Sequence, residues 1–310
     1  MKRLFAVLAL LCSVWVGNGS ASELTAQIHP LERNGVALFL HSLSADSFPS
    51  PKNILLVHGV AFSSHEFDVD YADYSLTRWL ARQGYTVWTL DIAGFGRSGA
   101  VSDGFIPDSD YAAEDIAAAA DAILAKSGQQ RLDVFGWSWG TVTASRFSAK
   151  HPGKVRSLIL YAPILAGLGA REVKSPFVTA EAYRDAYKDF RLLPDDSVDP
   201  AITDLAVIER YTANAKRCDN HPIPNGGRRD LLVSRDARLI PVRDLTMPTL
   251  LILGDLDAYV DAALATSAAG EIPGKTRLEI IVGGSHVLFL EKAHYRQFRN
   301  IVLDFLQNDH

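Results

Sequence analysis

The stretch from Arg131 to Gly140, RLDVFGWSWG, constrains the fold of this chain more than any other. It opens as an apolar run typical of a buried strand, and the residues after it, Thr141 to Lys150, have the pattern of a helix. Residues 136–140, which we call the elbow, must therefore turn sharply between a strand and a helix. A G-x-S-x-G turn in this setting exposes the serine hydroxyl, and its glycines avoid collisions that a Cβ would cause. Ser138 is accordingly a candidate nucleophile, provided that the chain also supplies a base, an acid and an oxyanion hole.

Strand and helix patterns alternate along most of the chain. Short apolar runs and helical periodicity predict strands at residues 53–57, 85–90, 155–161, 249–253 and 276–282, and helices at 74–83, 109–126, 258–269 and near the carboxyl terminus. Ser109 is interpreted as the N-cap of the second helix and Gly128 as its end. Two alternating runs near residues 25–28 and 36–41 predict an opening antiparallel pair. Together these patterns favour an α/β fold, in which helices cover both faces of a mostly parallel sheet.

Changes in the sequence pattern along the chain predict its domain organisation. Residues 24–162 and 244–310 carry the alternation of strands and helices, and we assign them to one core. Residues 163–243, between them, mix prolines, aromatic residues and charges. Within this block, residues 180–190 and 200–215 have helical patterns, and residues 220–230 are predicted to form a loop. The block therefore predicts a helical cap inserted into the core.

The first residues have the pattern of a targeting segment. Lys2 and Arg3 precede an apolar run from Leu4 to Val16, which small residues follow. We expect residues 1–21 to be a signal peptide cleaved after Ala21, so that the protein is exported to the periplasm or secreted. An uncleaved N-terminal anchor is the alternative. The apolar run is shorter than an ordinary membrane span, and we expect no stable membrane insertion after processing.

Composition and missing motifs exclude several function classes. The net charge is −5 and there is no basic run, so a nucleic-acid partner is not expected. The sequence has neither H-E-x-x-H nor a cysteine cluster, and its glycine-rich segment at residues 94–99 fits no dinucleotide or phosphate motif. We therefore expect no metal and no cofactor. After removal of the signal peptide, Cys218 is the only cysteine, and we interpret it as a buried or idle thiol.

A serine nucleophile needs a base, and His286 is the histidine that fits best. It lies in the sequence GGSH directly after the last predicted strand, where glycines allow it to reach the serine. His58 also follows a strand, but we interpret it as a residue that bonds the backbone and shapes its loop. The remaining histidines are interpreted as surface or loop residues: His29, His41, His65, His151, His221, His294 and His310.

The imidazole in turn needs a carboxylate to fix its tautomer and stabilise its charged form. Asp255 and Asp257 both follow the penultimate strand, and either could serve. Asp91 also ends a strand, but the glycine-rich turn after it indicates a structural carboxylate that caps that turn. For the oxyanion hole we expect two backbone N–H groups, from Trp139 next to the nucleophile and from Val60 in the loop after the first buried strand.

Five motifs in order resemble the capped branch of the α/β-hydrolase superfamily. They are the HG turn of His58, the D-x-x-G-x-G-x-S segment at residues 91–98, the elbow, the G-x-x-D loop at residues 254–257 and the G-x-H loop at residues 284–286. The resemblance covers nearly the whole chain outside the block assigned to the cap. It implies the α/β-hydrolase fold and a triad in the family's chain order.

The resemblance also narrows the choice of residues. The G-x-x-D loop favours Asp257 over Asp255, which gives the triad Ser138, Asp257 and His286. Haloalkane dehalogenases and epoxide hydrolases of this fold use aspartate at the elbow, so Ser138 argues against both. Trp137, Trp139 and Ser63 are expected near the substrate, the tryptophans lining an apolar pocket or packing in the core.

These residues predict a serine hydrolase that cleaves a carboxylic ester of a small molecule with an apolar acyl or alcohol part. Relatives with a serine elbow also cleave carbon–carbon bonds, lactones or amides, or form peracids, and this chain could do the same with the same triad. A ligand-binding member of the fold without turnover is the third hypothesis.

Overall fold

The computed structural model describes residues 23–45, 50–178, 190, 193–195, 197–219 and 221–308. The signal peptide predicted at residues 1–21, most of the helix predicted at residues 180–190, and His310 lie outside this described part.

An eight-stranded sheet forms the centre of the protein, with the strand order β1-β2-β4-β3-β5-β6-β9-β10. Its strands are β1 (Thr25–Arg33), β2 (Val36–Ser44), β3 (Asn53–Val57), β4 (Thr86–Asp91), β5 (Leu132–Trp137), β6 (Val155–Tyr161), β9 (Thr249–Gly254) and β10 (Thr276–Ile281). β1 and β2 pair antiparallel, as the sequence predicts, and β2 is also antiparallel to β4. All pairings from β4 to β10 are parallel. A separate antiparallel pair consists of the two-residue strands β7 (Phe177–Val178) and β8 (Ile223–Pro224).

Seven α-helices accompany these strands in the described residues. They are α1 (Leu76–Arg82), α2 (Ser109–Ser127), α3 (Trp139–Lys150), α4 (Leu205–Cys218), α5 (Gly226–Leu231), α6 (Ala262–Glu271) and α7 (Tyr295–Asn308).

Strand β3 shows how the sheet is buried on both sides. Because side chains alternate along a strand, Leu55 and Val57 pack into one apolar cluster, with residues of α2, α3 and α6. Ile54 and Leu56 pack into a second cluster on the other face, with residues of α1, α4 and α7. The mostly parallel sheet with helices on both faces confirms the predicted fold class.

The structure corrects three local predictions. Asp108, not Ser109, is the N-cap of α2, because its carboxylate accepts hydrogen bonds from the N–H groups of Asp110 and Tyr111. The helix predicted from residue 258 begins only at Ala262, capped by Asp261. The segment predicted as a loop at 220–230 contains β8 and most of α5.

The end of α2 agrees with the prediction. Gly128 has φ 68°, and its N–H donates to Leu124 O. This is the left-handed C-cap that glycine adopts without a Cβ penalty.

The described part of residues 163–243, predicted as a cap, is bound to the core through polar contacts. The pairs are Asn214 Nδ2 with Asp68 O at 3.2 Å, His65 Nε2 with Asp219 Oδ2 at 2.5 Å, His221 Nε2 with Gly96 O at 2.9 Å, and Ser109 N with Asp230 Oδ2 at 2.8 Å. Gly227 in α5 lies so close to the Trp139 ring that an added Cβ would come within 3.0 Å of it. Helix α5 thus packs directly beside the elbow.

Candidate active site

Ser138 is the single residue between β5 and α3, and its backbone is strained. Its φ of 56° lies in the left-handed region, which costs a residue with a Cβ about 1–3 kcal/mol. The surrounding structure holds this conformation, because Ser138 N donates to Tyr161 O and Ser138 O accepts from Thr141 N. Ser138 as a whole is 9% exposed. A strained serine at the carboxyl end of a central strand is the geometry that the elbow sequence predicts.

The glycines of the elbow are explained by close backbone approach. A Cβ on Gly136 would lie within 3.0 Å of Gly140 O, and a Cβ on Gly140 would lie within 3.0 Å of Val57 O. Gly59 packs against the nucleophile itself, since a Cβ there would be 3.2 Å from Ser138 Cβ. The tight turn therefore brings the end of β3 directly against Ser138.

His286 is hydrogen bonded to Asp257 in the loops that follow β10 and β9. Nδ1 of His286 lies 2.8 Å from Oδ2 of Asp257, whose side chain is fully buried. The other oxygen, Oδ1, accepts the N–H of Tyr259 at 2.8 Å. Because a carboxylate only accepts, His286 carries its proton on Nδ1, and its unprotonated Nε2 is the atom that can act as a base.

Asp255, the rival carboxylate, has a different partner. Its Oδ1 accepts the N–H of Gly283 at 2.7 Å and so joins the two loops through the backbone. Tyr259 packs its ring edge-on to His286, with centroids 4.8 Å apart, and is 42% exposed. His286 lies under this ring and is itself 6% exposed, and Asp257 is the one of the two aspartates that binds it.

The loop after β3 is fixed by two buried side chains. The N–H of Ile92 donates to Nε2 of His58, so His58 carries its proton on Nδ1 and donates to Gly59 O at 2.7 Å. Burial lowers the pKa of His58, which keeps the imidazole neutral. This confirms the interpretation of His58 as a loop-shaping residue. The N–H of Gly59 donates to Oε1 of Glu66, a carboxylate 1% exposed, at 2.8 Å.

The two predicted oxyanion donors lie at the ends of these segments. Val60 follows the fixed Gly59, and Trp139 is the first residue of α3, where a backbone N–H has no partner within the helix. In the described part of the chain, neither N–H donates a hydrogen bond to protein. Both groups are thus available to a ligand atom beside Ser138.

The three residues predicted near the substrate are all buried, with exposures of 3% or less. Trp139 is fully buried and its indole N–H donates to Ser109 Oγ at 2.9 Å, so it packs in the core. Trp137 is 3% exposed, and its indole N–H donates to the backbone oxygen of His286. Ser63 is 1% exposed, and its hydroxyl meets no partner among the described residues.

Asp91 has the structural role that the sequence predicts. Its Oδ2 accepts the N–H of Arg97 in the turn that follows, and its Oδ1 accepts the N–H of Ser64. Gly96 lies against the same carboxylate, since a Cβ there would come within 3.0 Å of it. The carboxylate therefore caps the turn and ties it to the loop after β3.

Three histidines interpreted as surface or loop residues are buried instead. His29 lies in β1 and is hydrogen bonded to Ser42 Oγ, His65 is hydrogen bonded to Asp219, and His294 is hydrogen bonded to Glu291 over 2.6 Å. Each has a polar partner distant in sequence or on an adjacent turn, which a single-sequence pattern does not show.

Other kinds of site have little support in the described residues. No group of three histidine, cysteine, aspartate or glutamate side chains in them could hold a metal ion. Burial raises the pKa of the Cys218 thiol, which makes it a weak nucleophile. Within the same residues, no helix has the length and apolar character needed to cross a membrane.

The sequence is similar to a family of serine peptidases and to curated hydrolases. Residues 49–293 match the family described as serine aminopeptidase, S33. A pimeloyl-[acyl-carrier protein] methyl ester esterase from Neisseria meningitidis is 29% identical over 273 residues, which cover 82% of this chain and 78% of that protein. The serine hydrolase BPHL of Mus musculus is 28% identical over 229 residues, covering 74% and 72% of the two chains.

A solved structure agrees in fold. The bromoperoxidase from Bacillus anthracis superposes with a TM-score of 0.65 at 18% identity, covering 92% of this chain and all of that one. At this identity the similarity concerns the fold and not the reaction.

Proposed function

Because the chain belongs to the serine aminopeptidase, S33 family of α/β-hydrolases and is a serine hydrolase of that fold, we propose that it cleaves a carboxylic ester of a small molecule. The observation that carries the proposal is the hydrogen bond between Asp257 and His286, whose backbone is bound by Trp137, the residue before the strained Ser138. A base oriented by a carboxylate is what a serine hydroxyl needs to become a nucleophile. The relatedness to a methyl ester esterase supports an ester as the substrate.

In the first half of the proposed reaction, Ser138 Oγ attacks the ester carbonyl carbon while Nε2 of His286 accepts the hydroxyl proton. The negative charge that develops on the carbonyl oxygen is stabilised by the N–H groups of Val60 and Trp139. Asp257 stabilises the imidazolium through Nδ1. Collapse of the tetrahedral intermediate breaks the ester C–O bond, and the alcohol leaves with the proton from His286.

The second half returns the enzyme to its starting state. Water attacks the acyl group on Ser138, and Nε2 of His286 accepts one proton of that water. The second tetrahedral intermediate uses the same two N–H donors. The Ser138 oxygen then leaves with the proton from His286, and the carboxylic acid is released.

We extend the proposal to location and substrate. The mature protein is exported after cleavage behind Ala21, and its substrate has an apolar acyl or alcohol part. Amino-terminal sequencing of protein recovered outside the cytoplasm tests the location. A mature chain that still begins at Met1 would contradict it.

Amide hydrolysis is the second candidate, because the family description names a serine aminopeptidase. The same triad serves for an amide if His286 protonates the leaving amine. A panel of p-nitrophenyl esters of increasing acyl length, set beside aminoacyl p-nitroanilides, separates the two reactions on purified mature protein.

Ser138→Ala is the control for every substrate in the panel. Loss of the nucleophile in a serine hydrolase lowers kcat by about 10⁶-fold. We expect ester turnover that exceeds anilide turnover and that disappears in the variant. Equal ester turnover by wild type and Ser138→Ala would overturn the proposal.

A further inference from the structure

Two aromatic residues donate hydrogen bonds to one backbone atom of the candidate base. The indole N–H of Trp137 donates to His286 O over 3.1 Å, and the hydroxyl of Tyr161 donates to the same oxygen over 2.7 Å. A carbonyl oxygen has two lone pairs, so both are engaged. The backbone of His286 is therefore held by Trp137 and Tyr161, whereas its ring is held by Asp257.

The two donors belong to adjacent inner strands of the sheet. Trp137 and Tyr161 are the last residues of β5 and β6, and they are direct partners in the parallel register. Their rings stack with centroids 6.0 Å apart and an interplanar angle of 13°. Phe289 packs edge-on to both rings, at 4.9 and 5.8 Å. Trp137 is 3% exposed and Tyr161 is fully buried, so neither ring has room to turn away.

The Tyr161 hydroxyl stays a donor at every working pH. Burial raises its pKa well above the usual range, and the negative charges of Glu291 and Asp257 raise it further. The phenol therefore keeps its proton, and the bond to His286 O persists.

We infer that Trp137 and Tyr161 are positioning residues that fix His286 relative to Ser138, an inference that rests on the proposed function. Trp137 directly precedes Ser138 in the chain. Its indole N–H, which binds His286 O, therefore belongs to the strand that leads into the nucleophile. The segment that leads to His286 contains Gly283, at φ 78°, and Gly284. Such a segment holds a side chain loosely by itself, and a misplacement of about 1 Å can cost about 10²-fold in rate.

The experiment removes each donor and keeps an aromatic ring. Tyr161→Phe deletes only the hydroxyl, and Trp137→Phe deletes the indole N–H. Tyr85→Phe is the matched control, because the Tyr85 hydroxyl is also buried and donates to a backbone oxygen, that of Leu306, far along the chain from the elbow. Thermal midpoints of all variants are measured beside wild type.

The main readout is the rate at which a fluorophosphonate labels Ser138, followed from about pH 5 to pH 9. In this reaction Ser138 Oγ bonds to phosphorus, fluoride leaves, and His286 accepts the hydroxyl proton. The rate depends on the Ser138–His286 geometry and needs no ester substrate. The second readout is kcat and KM on the best ester of the panel.

We expect Tyr161→Phe and Trp137→Phe each to slow labelling by about tenfold or more and to shift the pH midpoint of the rate. We expect kcat to fall by a similar factor with KM unchanged, because the anchored group acts on the chemical step. Tyr85→Phe should stay within about twofold of wild type, even if its thermal midpoint falls as far as that of Tyr161→Phe.

Labelling rates and pH midpoints of both variants equal to those of wild type would overturn the inference. Failure of the proposed function looks different. If Ser138 is labelled but no ester is cleaved, the ester proposal fails while labelling still decides the positioning role. If wild type is labelled no faster than Ser138→Ala, the serine mechanism fails and the inference fails with it.

Discussion

Oδ2 of Asp257 lies 2.8 Å from Nδ1 of His286, whereas Asp255, two residues earlier, binds the N–H of Gly283. β9 and β10 are parallel neighbours, so the loops that follow them meet at one edge of the sheet. Both carboxylates therefore reach the loop of His286, but only one reaches its ring. This difference provides a matched pair of substitutions.

Asp257→Asn should lower kcat by about 10³–10⁴-fold, because an amide does not stabilise the imidazolium and can hold the wrong tautomer. Asp255→Asn should change kcat only by a few-fold, since the amide oxygen still accepts the Gly283 N–H. Steady-state kinetics on the best ester, with a thermal melt of each variant, checks both. Comparable losses from the two substitutions would contradict the assignment of Asp257.

The loop that carries Val60 depends on Glu66. The carboxylate accepts the N–H of Gly59, the residue just before the predicted oxyanion donor. Glu66→Leu leaves that N–H without its acceptor, and we expect kcat to fall about 10- to 10²-fold, because a misplaced donor stabilises the oxyanion poorly. Glu66→Gln keeps an acceptor oxygen and should lose much less. Wild-type kcat in Glu66→Leu would show that the bond does not position the donor.

The free energy of unfolding should depend on pH, because burial keeps His58 neutral in the native protein. Burial lowers the pKa of His58 below its ordinary value of 6.5, so the unfolded chain binds a proton there that the native protein does not. The contribution of neutral His58 to the free energy of unfolding is therefore fully present above about pH 6.5 and is lost as pH falls below that value. The slope for one such group approaches about 1.4 kcal/mol per pH unit.

Urea unfolding at several pH values between about 7.5 and 5.5 measures this slope. Because glutamine does not titrate, His58→Gln should reduce this slope by up to the value for one proton, about 1.4 kcal/mol per pH unit. Burial also lowers the pKa values of His29 and His41, so part of the dependence remains in the variant. Parallel curves for wild type and His58→Gln would show that His58 does not contribute.

Local patterns were enough to predict the parts of the protein that depend on local chemistry. The buried strands, the elbow, the left-handed end of α2 at Gly128 and the loop role of His58 all follow from short stretches of sequence. They could be predicted because each reflects the periodicity of a strand or helix, or the steric freedom of glycine. The N-cap of α2 could not be predicted correctly because Ser109 and Asp108 are both good capping residues. In the structure the Ser109 hydroxyl accepts the indole N–H of Trp139, and Asp108 caps the helix.

Contacts between distant parts of the chain could not be predicted in this way. His65 and Asp219 are 154 residues apart, and Tyr161 reaches His286 O across 125 residues. The first pair depends on how the segment after α4 packs on the loop that follows β3, and the second depends on the strand order of the sheet. For the same reason, a pattern of apolar residues could suggest Trp137 as a pocket residue but could not show which carbonyl its N–H would meet.

The elbow glycines give a prediction about stability that is independent of catalysis. A Cβ at Gly140 would lie within 3.0 Å of Val57 O and of His58 O, and backbone atoms at the end of β3 cannot move aside without disturbing the sheet. Gly140→Ala should therefore destabilise the protein by about 1–3 kcal/mol or more. Gly270, near the end of α6, is exposed, and a Cβ added there would meet no atom of the described residues within 4 Å.

Gly270→Ala is accordingly the matched substitution, and we expect it to stabilise the protein by about 0.5–1 kcal/mol, because alanine loses less backbone entropy in a helix. Urea midpoints of the two variants should move in opposite directions from that of wild type. A Gly140→Ala variant as stable as wild type would mean that α3 can shift away from β3. In that case the close approach of Val57 to the elbow would not be what demands glycine there.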